Sequence, residues 1–347
     1  MTADPTPRLR LFELATGYYA ANALYTAARL GLADELAAGA VEYGELARRA
    51  DADPAALLRL LRLLVAAGVL DEQPSGAFSL TDIGDGLRAG AEDSLRDVVL
   101  QFATPWQQRS WNALEHSVRT GRSGFEEATG TDVFAFLAAN PAEAAVFDRS
   151  MTFFASGVAR QVAESYDFSG LGTVADVGGG HGALLTAILE SCPDLRGILF
   201  DLPHVIDQAR EKLRGRPVRD RLEPVPGDFF TSVVSGADAY VLKSVIHDWD
   251  DRSSGKILTN CREAMPPDAV LLLVEMLRPE SAEPSAESRM ATGSDVNMLV
   301  HTGGRERTET EYRKLLRDNG FAVSDIVAVR TRWSGLRMSS IIEARPV

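Results

Sequence analysis

At 347 residues, 45% hydrophobic and 24% charged, the chain has ordinary globular composition and enough length for two domains with cores of their own. A formal net charge of −13 works against nonspecific affinity for nucleic acid or for an anionic membrane, both of which attract basic surfaces. No apolar run reaches the roughly 18 residues of a membrane-spanning helix, and residues 1–10 carry prolines and an acid but no apolar signal core, so a cytoplasmic protein is expected.

Residues 9–38 read as helical, rich in alanine and leucine, with aromatic side chains at Phe12, Tyr18, Tyr19 and Tyr25. An apolar helix at this place needs a partner surface, and a homodimer through these helices is expected. A second helical stretch covers 43–50. It is followed by Asp51-Ala52-Asp53-Pro54, where Asp53 can cap and Pro54 can open a helix over 55–67. Gly68 ends that helix, and 69–71 with 77–80 reads as a small hairpin. Helix, turn, helix, hairpin is a winged-helix arrangement. A DNA reader would need base-reading and phosphate-binding groups on the second helix; Arg59 and Arg62 are its only charges, which favours a structural or dimerisation role.

Residues 95–165 read as helical throughout and carry Phe102, Trp106, Trp111, Phe134, Phe136, Phe147, Met151, Phe153 and Phe154. Aromatics at helical spacing are more often core than pocket. After Tyr166 the texture changes to alternating strands and helices. Strands are expected at 173–177, 197–201, 222–225, 237–243, 270–276, 322–329 and 339–344, with helices at 182–191, 205–213 and 253–265, and a polar, proline-containing loop at 279–288. This is a doubly wound α/β domain, whose ligands bind outside the carboxyl ends of the strands. Cys192 and Cys261, the only cysteines, lack the spacing of a zinc site or disulfide framework and read as reduced and structural.

The first strand runs into Asp176-Val177-Gly178-Gly179-Gly180-His181-Gly182. Glycines there allow positive φ and remove the Cβ atoms that would keep a nucleotide from the backbone. Two cofactor patterns fit: Gly178-x-Gly180-x-x-Ala183 is a loose dinucleotide fingerprint, and Asp176-x-Gly178-x-Gly180-x-Gly182 suits an S-adenosylmethionine site. The loop alone does not decide, and a glycine turn without ligand is a third reading.

Polar residues stand at the other strand ends. Asp201 ends the second strand, where a carboxylate can accept ribose hydroxyl protons. Asp228-Phe229 follows the third and offers an acceptor and a ring to an adenine, and Lys243 closes the fourth. Beyond it lies His247-Asp248-Trp249-Asp250-Asp251. Histidine is the side chain able to serve as a neutral base near pH 7, which makes His247 the candidate base. A metal site of His247, Asp248, Asp250 and Asp251 competes with this, but Asp250 and Asp251 are already explained as cap and dipole partner of the following helix. A merely structural His247 is the remaining alternative.

Together, Asp176 to Gly182, Phe200-Asp201-Leu202-Pro203-His204, Gly227-Asp228-Phe229-Phe230, His247-Asp248-Trp249 and Gly303-Gly304-Arg305-Glu306-Arg307-Thr308 resemble the S-adenosylmethionine-dependent O-methyltransferases of the plant caffeate and isoflavone type and their bacterial relatives in natural-product biosynthesis. The resemblance covers nearly the whole chain. It implies a winged-helix, all-helical dimerisation domain at 1–100, a helical connection at 101–165 contributing to the acceptor pocket, and a Rossmann-like methyltransferase domain at 166–347. It implies S-adenosylmethionine contacts at Gly178, Asp201, Asp228, Phe229 and Lys243, with Asp176 and Gly180 shaping the loop. It also implies a base at His247 oriented by Glu275 and Glu306. Pocket positions fall on Phe147, Met151, Phe154, Asn297, Met298 and Thr302, the last departing from the asparagine usual in the plant enzymes. The partners implied are an aromatic small-molecule acceptor and a second copy of the chain, and no metal is required. Two other readings stand beside this one: hydroxylation or decarboxylation on the same fold, and a winged-helix regulator that senses a small molecule.

Overall fold

The computed structural model describes residues 6–91 and 93–347; the reading of residues 1–10 falls partly outside them. Two compact units emerge, Met1–Gln108 with Asn140–Phe153, and Arg109–Ala139 with Phe154–Val347. The stretch 101–165 is shared between them.

In the first unit the expected helix at 9–38 is three helices, α1 (Pro7–Thr16), α2 (Tyr18–Arg29) and α3 (Leu32–Glu35). The second break falls at Gly31, whose φ of +66° suits glycine. α1 buries none of its residues: Leu11, Phe12 and Leu14 stay about two-thirds exposed at 68%, 64% and 65%, an open apolar face of the kind that marks an interface. β1 (Val41–Glu42), α4 (Tyr43–Arg49), α5 (Pro54–Ala66), β2 (Leu70–Glu72) and β3 (Ala77–Leu80) make the winged helix, its sheet ordered β1-β3-β2. Asp53 caps α5 by accepting the Ala56 N–H at 2.8 Å, with Pro54 in the first turn. Leu46, Leu57, Leu61, Leu64 and Phe78 form its core. Arg62 is paired with Glu72 of the wing at 2.9 Å, so it does not stand free for a phosphate. A short α6 (Asp82–Asp85) follows the wing, and residues 95–165 are not one continuous helical run but α7 (Arg96–Phe102), α8 (Pro105–Asn112), α9 (Leu114–Thr120), α10 (Gly124–Thr129), α11 (Val133–Ala139) and α12 (Pro141–Ser165). Left-handed Gly121 and Gly130 end α9 and α10, breaks that aromatic spacing does not reveal.

The second unit is built on β4 (Thr173–Val177), β5 (Arg196–Asp201), β6 (Leu222–Pro226), β7 (Ala239–Lys243), β8 (Val270–Glu275), β9 (Phe321–Arg330) and β10 (Arg337–Pro346). Their order is β6-β5-β4-β7-β8-β10-β9. β4 to β8 pair in parallel, and β10 is antiparallel to both neighbours. The seven expected strands are present. The reversed β10 follows from the short turn after β9, since parallel neighbours need a long crossover and a hairpin does not. Successive residues of a strand feed opposite cores: Val174, Leu199, Val241 and Leu272 face one, and Ala175, Phe200, Leu242 and Leu273 the other.

α13 (Ala183–Ser191), α14 (Pro203–Lys212) and α15 (Asp251–Ala264) cover the expected helices. α16 (Ala286–His301) and α17 (Glu309–Asp318) are additional, and α16, capped by Ser285, begins inside the expected loop at 279–288. α17 does carry a sequence signal, a capping box between Thr308 and Glu311. Among the described residues no helix is long and apolar enough to cross a membrane. The strand order reverses between β4 and β7, and in such sheets the crevice opens at the carboxyl ends there.

Candidate active site

At the end of β4 the chain turns through Gly178 (φ +70°), Gly180 (φ +58°) and Gly182 (φ +81°) before α13. A Cβ on Gly178 would lie 2.9 Å from Val245 Cγ2 and 3.4 Å from the Phe229 ring, whereas one on Gly180 would meet nothing within 4 Å. Gly178 is thus required by packing as well as by φ, and Gly180 leaves open space over the loop. Gly179, which no motif position marks, is just as constrained: its Cβ would fall 2.6 Å from the Asp176 carboxyl. The Gly178 N–H donates to Phe200 O and the Gly180 N–H to Asp201 Oδ2, both at 2.8 Å. Asp201 Oδ1 accepts the Leu202 N–H at 2.7 Å. Each of those oxygens retains a lone pair for a ribose hydroxyl.

Asp176 is buried, and its Oδ2 has no partner. Burial pushes its carboxyl up to about 7 despite the opposing pull of Lys243. Lys243, at the end of β7, is itself pushed down by burial, against Asp176 and Glu275. Asp228 accepts the Phe230 N–H at 2.8 Å, and Asn260 donates to Phe229 O at 2.7 Å. Phe229 is thereby fixed, its ring edge-on to Phe230 with centroids 5.0 Å apart. An open glycine cradle, carboxylates with spare lone pairs, a buried carboxyl with one unpartnered oxygen and a fixed ring together fit a nucleoside bearing a positive group.

Past Lys243, Ser244 takes φ +54°, an uncommon conformation for a residue with a Cβ. It swings the chain so that the Val245 and Ile246 N–H groups both donate to Glu275 Oε1, at 3.1 and 2.8 Å. A single 3-10 turn, Ile246–Asp248, then presents His247. Its Nδ1 lies 3.1 Å from Glu306 Oε1 and 3.6 Å from Glu275 Oε2, and its Nε2 lies 3.9 Å from Asp248 Oδ1. The Glu275 and Glu306 carboxylates are almost wholly buried, while the imidazole keeps 16% of its surface. The Nδ1 contact assigns the tautomer of the neutral ring: Nδ1–H donates to Glu306, and Nε2 carries the lone pair once the ring has lost its second proton.

Burial disfavours a charged imidazole, but the Glu306 and Glu275 charges, the bond to Glu306 and the Asp248 charge outweigh it and raise His247 to about 10. Burial raises Glu275 to about 7 against the pull of the imidazole, and it raises Asp248 as well. Ser294 on α16 donates to Glu306 Oε1 at 2.7 Å, and the Glu306 N–H donates to Asp295 Oδ1 at 3.0 Å. Neither residue stands in a motif that the sequence displays.

The metal set weighed from sequence does not assemble. Asp250 caps α15 through the Ser253 N–H at 2.7 Å, and Asp251 pairs with Arg305 and Arg307. Among the described residues the group that does cluster is His247, Glu275 and Glu306, with donor atoms within 4.8 Å of one another. Glu275 Oε1 accepts the Val245 and Ile246 N–H groups and Glu306 Oε1 takes the Ser294 hydroxyl and the imidazole, while Oε2 of each glutamate has no hydrogen-bond partner.

Asn297 Oδ1 accepts the Trp111 indole N–H at 3.3 Å. The Thr302 hydroxyl donates to Met298 O and accepts the Gly304 N–H, both at 3.1 Å, so it serves the end of α16. His301 is buried and its Nδ1 lies 2.9 Å from Asn297 O. Burial lowers its pKa, which favours a neutral ring. Phe147, Met151 and Phe154 lie on one face of α12 by their spacing; the first two belong to the first unit and Phe154 to the second.

Residues 12–88 match the O-methyltransferase dimerisation domain, and residues 111–322 match the O-methyltransferase domain. The chain is 41% identical to phenazine O-methyltransferase PhzM of Lysobacter antibioticus over 97% of its own length and 96% of that protein. It superposes on mitomycin 7-O-methyltransferase MmcR with a TM-score of 0.89 at 36% identity, covering 98% of each chain. It also superposes, with a TM-score of 0.80 at 33% identity over 94% of this chain and 96% of the other, on an O-methyltransferase from neocarzinostatin biosynthesis solved with S-adenosylmethionine and 2-hydroxy-5-methyl naphthoic acid. The chain belongs to the O-methyltransferase family.

Proposed function

We propose that this homodimeric, S-adenosylmethionine-dependent O-methyltransferase methylates a phenolic or enolic hydroxyl of a flat aromatic molecule in secondary metabolism, with His247 as general base. The observation that carries this reading is the imidazole whose Nδ1 is hydrogen-bonded to buried Glu306 at 3.1 Å, with the buried Glu275 carboxylate 3.6 Å away, leaving Nε2 outside that contact.

S-adenosylmethionine, when bound, supplies an electrophilic methyl group. The protein has to hold an oxygen in line with that methyl and remove the oxygen's proton. Gly178, Gly180, Asp201, Asp228, Phe229 and Lys243 hold the cofactor in this reading, with Asp176 beneath the loop. His247 Nε2 takes the proton. Against an ordinary imidazole, a phenol of pKa about 10 gives up its proton uphill by roughly 4–5 kcal/mol. With His247 raised to about 10 the two are nearly level, because Glu306 and Glu275 stabilise the imidazolium as it forms. Asn297 and Met298, on α16 with Ser294, are the proposed acceptor contacts of the second unit.

Hydroxylation, decarboxylation and gene regulation gain no support from relatives that are methyltransferases by name. A cytoplasmic place of action is part of the proposal, and two free cysteines suit a reducing compartment. Mass spectrometry of hydroxylated aromatics incubated with the protein and S-adenosylmethionine is expected to show gain of one methyl group on oxygen. Transfer to none of a broad panel of phenols and enols would overturn the reading.

A further inference from the structure

Arg307 is the bulkiest fully buried side chain among the described residues, and a buried guanidinium is costly unless its N–H groups are satisfied. Its Nη1 donates to Ile246 O at 3.0 Å and its Nη2 to Trp249 O at 2.8 Å. Nε and Nη2 both reach Asp251 Oδ1, at 3.0 and 2.8 Å, and Nη2 makes a longer contact to Ser254 Oγ at 3.3 Å. The two carbonyls bracket the turn that carries His247.

That turn needs outside help. It is one 3-10 turn whose closing bond, Trp249 N–H to Ile246 O, is 3.3 Å long, and such turns are weak alone. The segment before Arg307 grips it from a second side. The Arg305 N–H donates to His247 O at 2.8 Å, and the chain passes so close that a Cβ on Gly304 would stand 2.1 Å from that oxygen. Two neighbouring residues therefore act on the same turn at different points. Glu306 holds the imidazole, and Arg307 holds the backbone beneath it.

We propose that Arg307 is a positioning residue for the catalytic base, fixing the ends of the 246–249 turn so that His247 Nδ1 stays registered on Glu306. The proposal rests on His247 acting as the base. Misplacing a reacting group by about 1 Å costs up to roughly a hundredfold, so Arg307→Lys is expected to lose about tenfold in kcat and Arg307→Met nearer a hundredfold. Affinity for S-adenosylmethionine and acceptor KM should change less than about twofold. The rising limb of the pH–rate profile should move to lower pH in both variants as the imidazole leaves Glu306. In a His247→Ala background neither substitution should lower the residual rate further, since the two act as a unit.

A loss of full size in that background, a fall in cofactor affinity matching the fall in kcat, or wild-type kcat in a folded Arg307→Met protein would overturn the proposal. Should the Arg307 variants fail to fold, Asp251→Asn, at a side chain 58% exposed, carries the same comparison with an expected loss of about threefold; an undiminished kcat there would count equally against it. Unchanged turnover in His247→Ala itself would instead remove the base assignment, a separate result.

Discussion

The two sides of the crevice are built by different means. Beyond β4, β5 and β6 the polar groups are set by backbone: glycines in left-handed conformations, and carboxylates that accept backbone N–H groups, as Asp201 does from Leu202 and Gly180 and Asp228 from Phe230. Beyond β7 and β8 the groups are side-chain charges held over long spans: His247 to buried Glu306 across 59 residues, and buried Arg307 to the more exposed Asp251 across 56. A site that must take up and release a nucleoside can be shaped by local turns with lone pairs to spare. A base whose proton affinity must be tuned needs charges in a water-poor place, and those come only from distant parts of the chain.

The largest test of this division is His247→Ala. It should lower turnover by roughly 10²–10⁴ while calorimetric affinity for S-adenosylmethionine stays near wild type, and an equal loss of both would merge the two sides. Next comes Glu306→Gln, expected to lower turnover by roughly ten- to a hundredfold. The raised His247 value keeps the imidazole protonated below it, so the free base appears only as pH rises toward about 10. Wild-type kcat/KM should therefore climb with pH through that range, and the variant's limb should shift toward the ordinary imidazole value of about 6.5. A wild-type plateau already reached at pH 7 would contradict this. The same raised value contributes stability that is full below about 6.5 and is lost as pH rises through about 10. Smallest in turnover is Asp201→Ala: cofactor affinity should fall by roughly ten- to a hundredfold with little change in rate at saturation. Wild-type affinity in a titration would remove Asp201 from the cofactor side.

Much of the first side was legible in the chain. Gly178, Gly180, Asp201 and Asp228 stand where a strand ends and a turn begins, and local pattern reports such positions because φ, capping and turn chemistry are local. Gly179 was not, since its need comes from Leu199 and Asp176 packed over it. On the second side His247 was readable as the side chain of fitting pKa, and Asp250 as a cap. Glu275 and Glu306 came from resemblance alone.

By itself the sequence determined the alternation of strands and helices, the glycine loop, the winged helix and the identity of the candidate base, all carried by periodicity and neighbours in the chain. Only the tertiary structure decided that β10 enters the sheet reversed, that α16 brings Ser294 to Glu306, and that Arg307 is buried under the turn that bears His247. Hydrogen bonds and burial between residues tens of positions apart leave no period for a pattern to show. The register of His247 on its two carboxylates arises from the fold as a whole.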